Sequence, residues 1–491
     1  MTRAGHNAQM LLGIDLGTSS VKAVLLDQGR AVASASRGYR VDRPRPRWAE
    51  SSPDDWWQAT IGAVRGVVST RHDAVSAIGL SGQMHGVVMT DAHGDASRPA
   101  ILWADQRSLP ALAAWHALDE SSRRRLANPL VDGMAGPALR WLRDHEPATY
   151  GEAAWALQPK DWLRARLTGK VAGDHSDASA TLLYDLPAGG WAMDVVEALG
   201  LRADLLPPLL ESTAVAGLLT FAAADDLGLP AGVAVAAGAA DTAAAALGTR
   251  LVEPGPVQLT VGTGGQVLTV LAQPAPDEQL RTHLYRAAVP DRWYAMAASK
   301  NVGQALEWVR AVFAVTWDTW YQEAFAVPPG AEGVRFLPYV TGERAPVFDP
   351  CAAGAWTGLR SDHRRGHLLR AALEGVAFAL RGCLDALAGR GVCVDEVLLA
   401  GGGSTDPRWR QLLADVTGAR LLQAPAVDAS ARGAALLAGL ATGQIAMPQP
   451  ATGGAVLAEP GPDHEIYAAM TDVQHDLYRR LHHPSVQPRD A

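Results

Sequence analysis

The sequence predicts an α/β fold of two related domains with a cleft between them, and three observations lead to this prediction. A glycine-threonine turn between two short apolar strands occurs twice, at residues 13–20 and again at residues 259–266. Each turn is followed by further strand-like segments and then by a helical segment, so the second half repeats the plan of the first. The chain of 491 residues also exceeds the roughly 250–300 residues over which one core usually grows, which calls for at least two domains.

The first half opens as an antiparallel meander and continues into a helix. Three strand-like runs separated by glycine-containing turns make up the meander: residues 10–15, 21–27 and 31–39. Ser52 is placed to cap the following helix, with Pro53 at its first position. The next predicted strand, residues 74–80, runs into the polar loop at residues 83–86, and the end of a strand is where α/β proteins usually contact ligands.

The second half repeats this order with different spacing. Apolar runs predict four strands, at residues 257–261, 267–271, 293–297 and 397–400, and helical periodicity predicts three helices, at residues 303–313, 367–387 and 408–416. The predicted strand at residues 397–400 is followed directly by Gly401-Gly402-Gly403, which precedes a predicted helix. A strand, a glycine turn and a helix start together predict an edge that faces a phosphate or a ribose.

The domain boundary is expected near residues 247–256, because Glu253-Pro254-Gly255-Pro256 would break a helix. We therefore assign residues 1–248 to a first domain and residues 249–447 to a second. The remaining residues, 448–491, are predicted to form a linker up to residue 462 and then a helix over residues 464–482. Four apolar side chains are expected to dock this helix on a domain: Ile466, Met470, Val473 and Leu477.

Composition favours a small-molecule partner. Hydrophobic residues make up 48% of the chain and charged residues 19%, as in soluble globular proteins. The net charge of −8 argues against nonspecific binding to nucleic acid, since there is no basic surplus to displace counterions. Residues 1–10 contain no apolar signal region and no apolar run is long enough for a bilayer, which predicts a cytoplasmic protein without a membrane partner. The sequence is compatible with a homodimer and does not decide the oligomeric state.

The two glycine turns are predicted to hold a polyphosphate from both sides. Glycine lets backbone N–H groups approach an anion, and the hydroxyls of Thr18, Ser19 and Thr263 add donors. Either turn alone would be read as an ordinary hairpin; their recurrence favours the phosphate role. Asp15 lies beside the first turn and would repel phosphates unless a cation such as Mg²⁺ bridged them, although a turn aspartate can also cap its own backbone.

Several motifs, in this order along the chain, resemble the actin-like ATPase superfamily and within it the FGGY carbohydrate kinases, most of all the xylulokinases. They are the first turn with Asp15, Gln83-Met84-His85-Gly86, Ile101-Leu102-Trp103-Ala104-Asp105-Gln106-Arg107, Gly238-Ala239-Ala240-Asp241, Thr341-Gly342-Glu343-Arg344-Ala345-Pro346, Gly354-Ala355-Trp356-Thr357-Gly358-Leu359 and Gly401-Gly402-Gly403. The resemblance covers nearly the whole chain. It departs from the family pattern at Ala138, at Gly264-Gly265 and at Lys300.

The resemblance implies two actin-like (ribonuclease H-like) domains and an ATP-dependent kinase that phosphorylates the 5-hydroxyl of D-xylulose. It implies a sugar site lined by Met84, His85, Trp103, Asp105 and Arg107. It implies nucleotide contacts at Thr18, Ser19, Thr263, Gly264, Gly303, Gly402 and Gly403. The expected cofactors are ATP and Mg²⁺, with Asp15 as the metal ligand and as a catalytic residue.

Asp241 is expected to act as the general base that takes the proton from the attacking hydroxyl. The alternative is an N-cap of a helix over residues 242–247, and in that position the helix terminus would lower the pKa of the carboxyl. A weak base is still tolerable, because the hydroxyl proton leaves late in a loose phosphoryl-transfer transition state.

Two further interpretations remain. One is a kinase of the same family that acts on another pentulose, a pentitol or a sugar acid. The other is an actin-like nucleotide-switch protein, which would need neither a sugar pocket nor a base facing a hydroxyl.

Overall fold

A computed structural model describes residues 9–69, 74–345, 347–425, 428–451 and 453–482. Residues 1–8 and Pro346 of the Thr341-to-Pro346 motif therefore lie outside the described residues. Over these described residues the chain forms two large mixed β-sheets, each with seven strands and each covered by helices. Among the described residues, no helix combines the length and the apolar character needed to cross a membrane.

The first sheet and the helices around it come from the first half of the chain. The strands of the first half are β1 (Met10–Leu16), β2 (Ser20–Asp27), β3 (Arg30–Gly38), β4 (Glu50–Ser51), β5 (Val75–Gly82), β6 (Val88–Thr90), β7 (Ala100–Ile101), β8 (Trp155–Leu157), β9 (Gly173–Asp174), β10 (Tyr184–Asp185), β11 (Gly190–Trp191), β12 (Leu209–Leu210), β13 (Val215–Leu218), β14 (Ala234–Ala236) and β15 (Ala239–Ala240). The first sheet consists of β1, β2, β3, β5, β13, β14 and β15. Its helices are α1 (Pro53–Val68), α2 (Leu112–His116), α3 (Glu120–Leu126), α4 (Ala135–His145), α5 (Pro147–Glu152), α6 (Pro159–Thr168), α7 (His175–Ala178), α8 (Met193–Ala198), α9 (Phe221–Leu227) and α10 (Asp241–Gly248).

The second half of the chain forms the second sheet and its helices. Its strands are β16 (Val257–Val261), β17 (Gly265–Leu271), β18 (His283–Arg286), β19 (Trp293–Ser299), β20 (Arg335–Leu337), β21 (Ala355–Thr357), β22 (Glu396–Ala400), β23 (Arg420–Gln423) and β24 (Val456–Ala458). Its helices are α11 (Gly303–Phe313), α12 (Trp317–Ala324), α13 (Arg365–Ala388), α14 (Pro407–Thr417), α15 (Ala429–Ala441) and α16 (His464–His482).

The two sheets share one topology, which confirms the predicted duplication. In the first, β3, β2 and β1 form the antiparallel meander, β5 adds to β1 in parallel and β14 adds to β5 in parallel. In the second, β19, β17 and β16 form the meander, and β22 and β23 follow in parallel. The glycine turn between the first two strands therefore lies at the same place in each sheet, which is the geometry that the sequence predicts.

Helix α15 follows the second sheet in the chain but packs against β1 and β5 of the first sheet and against α10. Small residues make this approach close enough for backbones to touch. A Cβ on Gly433 would overlap the carbonyl oxygen of Ala244, and one on Gly13 would overlap that of Ala431. The two halves are thus joined by a glycine-alanine seam as well as by the connecting chain.

The C-terminal segment departs from the prediction in two respects. The predicted linker contains β24, which pairs with β23 and extends the second sheet. The final helix has the predicted bounds, but its predicted face is wrong in part, because Ile466 and Val473 are exposed. Tyr467 is fully buried instead, and its hydroxyl bonds to the buried pair Arg370 and Glu374.

Candidate functional site

The first glycine turn lies between β1 and β2 and is tied to the predicted sugar-binding segments. The Gly17 N–H donates to the Ser20 carbonyl oxygen at 3.0 Å and closes the turn. The indole N–H of Trp103 donates to the Thr18 hydroxyl oxygen at 2.9 Å. The sequence predicts a nucleotide contact at Thr18 and a sugar contact at Trp103, and the structure brings these two side chains into direct contact.

The second turn is the point where three predicted nucleotide segments meet. The Gly303 N–H at the start of α11 donates to the Gly262 carbonyl oxygen at 3.0 Å, and the Gly403 N–H donates to Val261 at 2.9 Å. Gly401 has a φ of +88° and no room for a Cβ, which would overlap the same Val261 oxygen. Residues about 140 positions apart in sequence therefore form one glycine-lined edge.

A cavity of about 830 Å³ opens beside this edge and extends to the start of α10. It lies between the halves of the molecule, since Asp241 and Thr242 of the first half face second-half residues across it. The residues that line it are Asp241, Thr242, Ala245, Gln258, Thr260, Gln266, Leu268, Leu399, Ala400, Gly401, Gly402, Ser404, Thr405, Arg410, Gln423, Ala424, Pro425, Asp428, Ala429, Ser430 and Leu457. Its volume is in the range of small-molecule and cofactor sites.

Two carboxylates of the first half are brought together where the cavity begins. Asp15 is near the end of β1 and accepts a hydrogen bond from the Ser81 hydroxyl at 2.9 Å. Burial raises its pKa, against the lowering effect of that hydrogen bond and of Lys22. Asp241 is close enough to Asp15 for their charges to repel, and burial together with this repulsion raises the pKa of Asp241 to about 7.

The expectations for Asp241 are therefore corrected. Ala240 occupies the N-cap position of α10 and Asp241 is the first helical residue, where its carboxylate accepts from the Thr242 N–H at 2.6 Å. The helix terminus does favour the ionised form, but desolvation is the larger effect and sets the sign of the shift. A carboxyl with a pKa near neutrality is a stronger base than the sequence predicted.

A buried network of charges supports the backbone just before Asp241. The Ala240 N–H donates to the Ser176 hydroxyl at 2.9 Å, and Ser176 in turn donates to Asp174 at 2.6 Å. The Lys160 ammonium lies 2.9 Å from Asp174 and 3.4 Å from Asp177. It helps to lower the pKa of Asp174, whereas burial raises the pKa of Asp177. These contacts hold the β15–α10 junction in place.

Met84 and His85 are buried in the loop that follows β5. His85 adopts a φ of +69°, which is a strained backbone for a residue with a Cβ, and such strain concentrates at functional sites. Its Nδ1 is 2.7 Å from the Ala180 carbonyl oxygen, so the ring donates there and presents Nε2 on its other side. Burial, together with the charge of Arg344, lowers its pKa to about 3 and keeps the imidazole neutral.

Asp105 and Arg107 bind each other. The Arg107 guanidinium donates to both Asp105 oxygens at 2.9 and 2.7 Å and also pairs with Glu50 at 2.8 Å. Asp105 additionally accepts from the Ala49 N–H at 2.6 Å, and Trp48 stacks on the guanidinium at 3.5 Å. Their direct contact with a sugar stays a prediction, and in this structure they form a buried ion pair behind the Trp103 loop.

Three polar side chains that line the cavity are not predicted as site residues from the sequence. Gln258 and Thr260 lie on β16 and Gln266 on β17, with a hydrogen bond of 3.2 Å from the Gln258 amide to the Thr260 hydroxyl. The signal was present, because these polar residues alternate with Leu259 and Val261 in an otherwise apolar strand. Such an alternation marks a strand with one face on a core and the other on a polar space.

Comparison with known families matches both halves of the chain. Residues 10–248 match the model of the FGGY family of carbohydrate kinases, N-terminal domain, and residues 257–442 match that of the C-terminal domain. The two models together span most of the described residues.

Individual relatives agree with this match. The chain is 37% identical over 437 residues to a xylulose kinase of Escherichia coli, covering 88% of this chain and 90% of the relative. It is 33% identical to a xylulose kinase of Bacillus subtilis, with 88% of each chain covered. The crystal structure of a xylulose kinase from Rhodospirillum rubrum superposes with a TM-score of 0.85 at 30% identity, covering 96% of this chain and 99% of that one.

Proposed function

Because this chain belongs to the FGGY family of carbohydrate kinases, we propose that it transfers the γ-phosphate of ATP to the 5-hydroxyl of D-xylulose, giving D-xylulose 5-phosphate and ADP. One observation carries the proposal: the Asp241 carboxylate of the first domain lines a cavity whose other wall is the glycine edge of the second. The proposed base and the glycine edge then line one cavity, and the predicted sugar-facing loop follows β5, the strand that pairs with β1 and with Asp15. The xylulose kinases among the relatives support this choice of sugar.

Asp241 is the proposed general base. With a pKa of about 7, it is substantially ionised at neutral pH and still basic enough to accept the proton of the attacking hydroxyl. Its hydrogen bond from Thr242 and the Ser176 contact behind Ala240 fix the orientation of the carboxylate. Orientation matters because phosphoryl transfer depends mainly on positioning and electrostatics.

The nucleotide is assigned to the cavity on the second domain and the sugar to the first domain. Backbone groups at Thr263, Gly264 and Gly402 would hold phosphates from one side, with Thr18 and Ser19 opposite. The N–H groups of Gly303 and Gly403 donate to Gly262 and Val261, so these two glycines would contribute by letting the nucleotide approach the backbone closely. We place the domain boundary after residue 248, and the limits of the two family matches support this placement.

The residues present fit a divalent cation at Asp15. Asp15 and Asp241 are partly buried carboxylates, and burial together with the charge of Asp15 makes Asp241 costly to ionise. A cation beside Asp15 would offset that repulsion. Mg²⁺ takes oxygen ligands and commonly joins one or two carboxylates to substrate phosphates. Asp15 would hold the ion, which when bound neutralises charge on the phosphates, while Asp241 remains free to orient the sugar hydroxyl.

A coupled kinase assay with a panel of sugars tests the proposal. We expect the highest kcat/KM with D-xylulose over ribulose, pentitols and gluconate, and little ATP hydrolysis without sugar. Asp241→Asn should bind ATP and sugar with near-normal affinity yet lose at least about a thousandfold in kcat, as expected when a base and its orienting charge are removed together. Asp225→Asn, on the exposed face of α9, is the control for loss of a charge.

Two outcomes would contradict the proposal. A clear preference for another sugar would reassign the substrate within the family. Rapid ATP hydrolysis that no sugar stimulates, unchanged in Asp241→Asn, would instead favour a nucleotide-switch protein of the same fold.

A further inference from the structure

Four buried polar atoms close to the predicted sugar-binding side chains have no hydrogen-bond partner within the described part of the chain. They are Asp132 Oδ2, His283 Nδ1, the Tyr285 hydroxyl and Arg344 Nε. A buried polar atom without a partner is costly, and native proteins contain few of them. Because these four lie together beside the predicted sugar-binding side chains, a polar ligand bound there would complete their hydrogen bonds.

Two of these atoms belong to β18, which faces the loop that carries His85. The rings of His283 and Tyr285 stack at 5.5 Å, and the Tyr285 ring is 6.2 Å from the imidazole of His85. Tyr285 also packs on Tyr294 at 5.5 Å, and the Tyr294 hydroxyl lies 3.9 Å from the sulfur of Met84. The second domain thus contacts both residues of the predicted Met-His sugar motif.

Arg344 reaches the same place from the other side. Its guanidinium lies over the indole of Trp103, 5.0 Å from the ring centroid. It makes no ion pair within 4.0 Å among residues 9–69, 74–345, 347–425, 428–451 and 453–482, and the Asp132 carboxylate attracts it only from a longer range. Burial with Arg344 close by lowers the pKa of His85 and of His283, which places all three in one electrostatic environment.

The mixture of donors and acceptors identifies the kind of ligand. Asp132 can only accept while it is ionised, Arg344 can only donate, and the Tyr285 hydroxyl can do either. A group that both donates and accepts meets all of these needs, which is the property of a sugar hydroxyl. An anionic group would be attracted by Arg344 but repelled by Asp132, so a neutral polyol fits better than a sugar acid.

We propose that His283, Tyr285 and Arg344 of the second domain, together with Asp132 of the first, form the second half of the acceptor-sugar site. The sugar is then held between the domains, with Met84, His85 and Trp103 on one side and these four residues on the other. This inference rests on the proposed sugar-kinase function and adds residues to its binding site. It also gives sugar binding a direct means of drawing the two domains together.

Hydroxyl-specific recognition provides the test. Tyr285→Phe removes one oxygen, and Arg344→Lys keeps the charge but removes Nε. Each should raise the sugar KM, roughly tenfold for the neutral hydrogen bond and up to roughly a hundredfold for the charged one, with the ATP KM within about twofold of wild type. Matched controls in the same domain are Tyr321→Phe on α12 and Arg335→Lys on β20, whose side chains are only partly buried.

Analogues of the preferred sugar that each lack one hydroxyl separate binding from a structural effect. Wild type should discriminate against each analogue, whereas Tyr285→Phe should lose its discrimination against one particular analogue and keep it for the others. Equal losses with every analogue, or a rise in the ATP KM equal to that of the sugar KM, would overturn the proposal. If the wild type phosphorylates no sugar, the proposed function fails first; if it phosphorylates one and both variants bind it normally, only the present inference fails.

Discussion

Asp241→Asn should stabilise the protein while abolishing its activity, because the folded state holds this carboxyl in an unfavourable place. Its pKa is raised from the ordinary value of 3.8 to about 7 by burial and by the charge of Asp15. Asparagine has the same shape and can still accept the Thr242 hydrogen bond of 2.6 Å. The substitution therefore removes the buried charge and little else.

The sign and size of the effect follow from linkage. Below pH 3.8 the carboxyl is protonated in both states and contributes nothing to the pH dependence. Between pH 3.8 and about 7 only the unfolded chain ionises, so stability falls as the pH rises, and above about 7 the penalty is constant. A shift of about three pKa units at about 1.4 kcal/mol each sets an upper limit of about 4 kcal/mol, and water in the cleft reduces it to roughly 2–4 kcal/mol.

Thermal unfolding of both proteins in EDTA, from pH 5 to pH 8, measures this difference. At pH 8 we expect Asp241→Asn to melt roughly 2–8 °C above wild type, and the gap should shrink steadily towards pH 5. Asp225→Asn, which removes an exposed charge, should shift the melting temperature by less than about 1 °C. A variant that melts at or below wild type at pH 8, or a gap independent of pH, would refute the reasoning.

Three further predictions concern the cleft and the seam. With Mg²⁺ present the repulsion from Asp15 is offset while burial remains, so the wild-type kcat/KM for sugar should fall on the acid side with an apparent pKa above the ordinary 3.8 and no higher than about 7. The same acid limb in the residual activity of Asp241→Asn would exclude Asp241 as its origin. Gly401→Ala should lower the melting temperature, because its Cβ would overlap the Val261 oxygen. Gly402→Ala has open space around its Cβ, so it should leave the melting temperature unchanged and raise only the ATP KM. Equal melting temperatures of the two variants would contradict this prediction. Gly433→Ala should lower the free energy of unfolding by about 1–3 kcal/mol, because its Cβ would force α15 away from α10. Calorimetry of this variant and of the unhindered control Gly151→Ala measures the difference, and a wild-type melting curve for Gly433→Ala would contradict it.

Elements whose pattern is local were predictable. The strand at residues 257–261 and the helices at residues 303–313 and 464–482 have the bounds that the sequence predicts. Apolar spacing, caps and turn residues act within a few positions of one another, so they can be read along the chain. The duplicated meander was recognisable for the same reason.

Partners from elsewhere in the chain were not predictable. The apolar spacing of the last helix favoured Ile466 and Val473, yet the structure buries Tyr467, because Arg370 and Glu374 of α13 offer its hydroxyl two hydrogen bonds. Likewise, Asp105 and Arg107 could be recognised as a motif but not as a mutual ion pair. The spacing of apolar residues predicts which face of a helix or strand is buried, but it does not predict which polar groups will form hydrogen bonds or ion pairs with each other.

The amino-acid sequence alone determined that this chain carries two phosphate-type turns on two repeated meanders. A tight turn depends on the glycine and hydroxyl residues within it, which are neighbours in the sequence. Only the tertiary structure decided what those turns face. It brings α15 of the second half onto the first sheet, gathers Gly262, Gly303 and Gly403 at one edge, and partly buries Asp241 near Asp15. Desolvation and charge repulsion depend on distances between residues far apart in sequence, so the ionisation of the proposed base is a property of the fold.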